Sequence, residues 1–173
     1  MFYMSVHDLV WANALLEGDG VPFDYELLEE AIAAQYGYGD STDALGQAAD
    51  FVRAIAVAKP FERGNLRTAL LALGVYLEGN GRSVRFSGED IRAALLDLVQ
   101  ENGDPSRLVE LMLDEGTPTA LRRAPVVTSD EQKVMNRATV LSMLERARPV
   151  LDSLVPHDIP ITDRHFDTHL HRD

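Results

Sequence analysis

The sequence predicts an all-α fold: a single compact helical domain built around one buried central helix. Three observations carry this. Apolar residues recur at helical spacing over most of the chain. Cap and break signals punctuate those stretches at intervals suited to short connections. One segment, Thr68-Ala69-Leu70-Leu71-Ala72-Leu73-Gly74-Val75-Tyr76-Leu77, is apolar nearly all round, the pattern of a helix with neighbours on every side.

In order, Ser5 is placed to cap a first helix whose inner residues are Val6, Leu9, Val10, Asn13 and Leu16, and Gly18-Asp19-Gly20 breaks it. Asp24 opens a second, with Leu27, Leu28, Ala31 and Ile32 on one face. Residues 35–41, Gln-Tyr-Gly-Tyr-Gly-Asp-Ser, are expected as a small flap or hairpin. Asp43 to Ala58 is a third helix, striped by Leu45, Ala48, Ala49, Val52, Ile55 and Ala56. The central helix runs from Asn65 to Glu78, and Asn80-Gly81 ends it.

Ser83 to Phe86 alternates and reads as a short extended piece. Ser87-Gly88-Glu89-Asp90 is a start signal for a helix to about Gln100, and Asp104-Pro105 starts another that carries Leu108, Val109, Leu111, Met112 and Leu113. Thr117 to Thr128 is a linker. Ser129-Asp130-Glu131-Gln132 opens a long helix through Val134, Val140, Leu141 and Leu144 towards Val150. Two units follow: a helical domain over 1–155 and a tail over 156–173, expected as loop.

The 173 residues suit one domain with a proper core, and 46% hydrophobic with 25% charged residues is an ordinary soluble balance. No cysteine is present, which excludes disulfides, cysteine-based zinc sites and thiol catalysis, and a cytoplasmic setting is the default. The start of the chain lacks the pattern of a signal peptide, and no apolar run could span a bilayer, so no membrane is expected. The net charge of −12 is concentrated early, with no Lys or Arg before Arg53. That surface disfavours nucleic acid and favours a basic protein segment.

Chemistry concentrates in Lys59-Pro60-Phe61-Glu62-Arg63-Gly64-Asn65-Leu66-Arg67. A Gly-Asn-x-Arg loop at a helix N-terminus offers unpaired N–H groups and positive potential, which together suit an anion. From Leu27 to Leu98 the order of features resembles the Fic/Doc family, most nearly the Doc (death-on-curing) branch. The items are Leu27-Leu28-Glu29-Glu30-Ala31-Ile32 before a Tyr/Gly flap, Ala48-Ala49-Asp50-Phe51 ahead of the loop, Asn65 to Leu73 after it, and Leu77-Glu78-Gly79-Asn80-Gly81.

The resemblance implies a Fic-type helical domain and a toxin-type transferase that moves AMP or phosphate from a nucleotide to a protein hydroxyl. Its signature is His-x-Phe-x-(Asp/Glu)-(Gly/Ala)-Asn-(Gly/Lys)-Arg. Phe61, Gly64, Asn65 and Arg67 match, while Lys59 stands at the His position, Arg63 at the acid position and Leu66 at the Gly/Lys position. By carry-over Lys59 and Arg67 are the catalytic candidates. Arg63, Gly64, Asn65 and Arg67 are the phosphate or nucleotide ligands, and Tyr36, Gly37 and Tyr38 form a flap that docks the target. Phe61 is read as a buried anchor with no chemistry.

The departures matter physically. A general base must be unprotonated, and a free lysine holds its proton to about pH 10.4. Lys59 is therefore read as a phosphate ligand before a base. A guanidinium cannot hold magnesium, so Arg63 argues for ATP or another nucleotide bound without that metal, and no metal site is assigned. Two functions stay open: an altered transferase, or a catalytically silent relative that binds a nucleotide, an anion or a protein partner. A plainer reading makes Glu62 and the basic groups surface ion pairs of little worth.

The Fic inhibitory pattern, (Ser/Thr)-x-x-x-Glu followed by a small residue, finds only Ser106 to Glu110 with Leu111 after it. Regulation is thus expected from a separate small antitoxin with a basic segment. His165, His169 and His171 have metal-like spacing but sit in the tail, and are read as adventitious. His7 is read as a surface or cap residue, and Trp11 as core.

Overall fold

The computed structural model describes residues 2–36, 44–86, 88–100, 103–114 and 129–166. It is all-α, with helices α1 (Val6–Glu17), α2 (Tyr25–Ala34), α3 (Ala44–Ala56), α4 (Asn65–Gly79), α5 (Gly88–Val99), α6 (Pro105–Met112) and α7 (Ser129–Leu154). A 3-10 turn, Val155–His157, follows. Residues 37–41 of the expected flap, Gly37 and Tyr38 included, lie outside the described residues, as do Ser87, the 117–128 linker, His169 and His171.

Local caps explain where α1, α2 and α6 start. Ser5 and Asp8 cap α1 reciprocally, each side chain accepting the other's backbone N–H at 3.2 and 2.9 Å. Asp24 accepts from Leu27 N at 3.2 Å, and Asp104 from Ser106 N at 2.9 Å. The extended piece 83–86 is tied by one antiparallel bridge, Val84 to Leu113, with Arg85 N donating to Met112 O at 2.8 Å.

The ends of α3 and α7 differ from the sequence reading. α3 stops at Ala56, two residues early, because Lys59 already turns the chain with a φ of 54°. α7 continues to Leu154 past Pro149, since Val150, Leu151 and Leu154 keep a buried face towards the core.

α4 is the axis of the fold. Every residue from Asn65 to Leu77 is buried, and the helix packs against α1, α3 and α7. Burial on all sides explains the all-round apolar pattern. Gly74 and Gly79 permit close approach: a Cβ would lie 2.9 Å from Met143 Sδ at the first and 2.4 Å from the Phe2 ring at the second.

Tyr76 is the largest fully buried side chain of α4, and its hydroxyl donates to Gln47 Oε1 at 3.2 Å. Burial, and secondarily Tyr3, push its phenol up from 10.0 to about 12. A raised phenol favours the neutral folded form, so this contribution is whole below pH 10 and is lost as pH rises through 12. Unfolding free energies from urea titrations between pH 9 and about 11.5 are expected to fall by up to about 1.4 kcal/mol per pH unit, and Tyr76→Phe to flatten the fall. Parallel declines in both proteins would refute this.

Candidate functional site

The site is the mouth of α4 and the loop leading into it. Pro60 O accepts from Asp24 N at 2.7 Å and Glu62 N donates to Pro22 O at 2.9 Å, so the loop pairs with 22–24 across a Phe23–Phe61 bridge. Phe61 is fully buried and meets Phe23 edge-on at 6.4 Å, the anchor its sequence position predicts. Asn65 turns its amide back on the loop. Its Oδ1 accepts from Phe61 N at 2.9 Å, and its Nδ2 donates to Phe61 O at 2.7 Å. Asn65 thus shapes the loop with its side chain.

Gly64 is the N-cap of α4, in the left-handed region (φ 81°) and without a side-chain cap bond. A Cβ there would meet Glu17 Cγ at 2.7 Å and Asn13 Nδ2 at 2.9 Å. The reason for the crowding is that Asn13 reaches in from α1, donating to Arg63 O at 3.0 Å and Thr68 Oγ1 at 3.1 Å.

The cap α4 lacks locally comes from far along the chain. Asp158 Oδ1 accepts from Leu66 N at 3.0 Å, and its Oδ2 accepts from Arg67 N at 3.2 Å and Arg67 Nε at 3.0 Å. The other side of the guanidinium pairs with Glu17 Oε1 through Nη2. Arg67, Asp158 and Glu17 have side chains only 11, 3 and 14% exposed, so this is a buried network, unlike the surface pairs of the plainer reading.

The other two cations sit further out. Arg63, its side chain 39% exposed, pairs with Glu17 at 3.4 Å and Glu62 at 3.5 Å. Lys59 is half-buried, and among the described residues its ammonium enters no ion pair. Lys59 is also the one described non-glycine residue at positive φ, a conformation that costs an L-residue about 1–2 kcal/mol. Its carbonyl accepts from Arg164 Nη2, and Ala58 O accepts from Arg164 Nη1 at 3.3 Å.

Tyr36, the described member of the expected flap, is 45% exposed with its ring 4.5 Å from that of Tyr3. Trp11 is only partly buried and lies beneath Arg137, whose guanidinium carbon is 5.5 Å from its ring. His7 and His165 are exposed. Among the described residues no group of three His, Cys, Asp or Glu side chains could hold a metal, and no helix is long and apolar enough to cross a membrane.

Asn13, Glu17 and Asp158 carry much of the site; the sequence reading has Asn13 only as an inner residue of the first helix and neither acid at all. Two signals pointed to the acids: a helix start with Gly64 where a capping side chain is usual, and an arginine on a helix with no exposed face. Both call for a partner from elsewhere in the chain, without naming which residue supplies it. No protein-family model, curated protein or solved structure matches this chain.

Proposed function

We propose that this chain is a catalytically silent relative of the Fic/Doc proteins, which binds an oxyanion at the mouth of α4 and transfers no group. One observation carries the reading: a carboxylate rests on the Leu66 and Arg67 amides and on Arg67 Nε. Those three donors, at a helix N-terminus, form a seat for an oxyanion. The parts that chemistry needs do not join them. Lys59 occupies the base position and, among the described residues, enters no ion pair, and Arg63 occupies the acid position tied to Glu17 and Glu62.

ATP labelled at the α or the γ phosphate, added to lysate, tests this. Wild type and Lys59→Ala are expected to label proteins equally, at background. Labelling by wild type that Lys59→Ala abolishes would establish a transferase instead. Titration calorimetry of ATP is expected to show binding that does not depend on magnesium, because the donors are amides and a guanidinium; a strict magnesium requirement would refute the reading.

A further inference from the structure

We infer that residues 158–166 form an internal strap across the mouth of α4, and that the strap and an external oxyanion exclude each other. The inference rests on the oxyanion-binding reading above and concerns how that site is controlled.

The strap runs back along the loop with contacts at every third residue. Asp158 holds Leu66 and Arg67, Ile161 N donates to Glu62 O at 2.7 Å, and Arg164 donates to the carbonyls of Ala58 and Lys59. Phe166 is buried, with the Arg164 guanidinium carbon 4.9 Å from its ring. Between these points the strap has little apolar hold. Ile159 is 75% exposed, and Pro160, Thr162 and Asp163 are exposed as well.

A segment held by a few polar contacts opens at lower cost than one held by core packing. Its strongest contact uses the same three donors that an oxyanion needs, so both cannot occupy them. Glu17 would stay on the far side of Arg67, and the guanidinium would keep one carboxylate in either state. The device differs from a capping helix: Asp158 is the residue that ends a 3-10 turn, and the chain after it has no regular secondary structure.

Inorganic phosphate is the probe, and the full-length chain is the sample. Calorimetry is expected to show phosphate binding at least tenfold tighter to Asp158→Ala than to wild type. Arg164→Ala, which leaves the α4 cap in place, should tighten binding in the same direction by a smaller factor. Adding phosphate to wild type should speed amide exchange at Ile161, and leave Asp24 N, bonded to Pro60 O, unchanged. Equal phosphate affinity in all three proteins would overturn the strap and leave the oxyanion-binding reading standing. Absence of phosphate binding in all three would overturn both. Should Asp158→Ala fail to fold, Arg164→Ala and the exchange measurement decide alone.

Discussion

Arg67→Ala is expected to destabilise the protein by about 3–5 kcal/mol, the usual loss when one partner of a buried ion pair is removed. The side chain is nearly enclosed, and its removal leaves Asp158 with backbone amides alone and Glu17 with only the outer Arg63 pair at 3.4 Å. Arg67→Lys should not rescue it, because an ammonium cannot offer Nε to Asp158 and Nη2 to Glu17 in the same plane. Glu17→Gln in the alanine background should recover part of the loss by removing a half-compensated charge, since only the exposed Arg63 still faces it. Urea unfolding of the four proteins measures this, and a loss below about 1 kcal/mol for Arg67→Ala would show the network to be a solvated pair.

Phe61→Ala is expected to cost about 3–5 kcal/mol, as full truncation of a buried aromatic does. The ring is completely enclosed and faces Phe23. The effect should reach the site, since the backbone of the same residue holds the Asn65 amide at both ends. Phe61→Leu, which keeps much of the volume, should lose far less. If alanine and leucine behave alike in thermal melts, the anchor reading fails.

The sequence revealed the architecture well because its signals are local. Ser5, Asp24 and Asp104 cap the helices they precede. The all-apolar run from Thr68 to Leu77 announces a helix with no free face, and α4 has none. The loop 59–67 was equally legible as a distinct element, and the buried role of Phe61 follows from its position. What remained hidden depends on residues brought together across the chain. Periodicity says that an arginine lies on α4, not which acids complete its charge. Glu17 comes from the end of α1 and Asp158 from beyond α7, and neither sits in a pattern that marks it. The segment after Pro156 looked like loop because it has no period. Beyond the 3-10 turn its described part, 158–166, has no regular secondary structure, yet it makes the contacts that close the site.

The origin of the α4 cap bears on how the chain is made. Arg67 precedes Asp158 by 91 residues, so a growing chain carries α4 without its carboxylate until that residue emerges. Meanwhile the exposed amides and guanidinium are open to any anion in reach. Closing so long a loop contributes an entropic penalty of about 4 kcal/mol beyond the chain's constant. Capping of the central helix by Asp158 is therefore expected to be a late event in folding. Synthesis halted before residue 158 would yield a helical body whose oxyanion seat has never been shut.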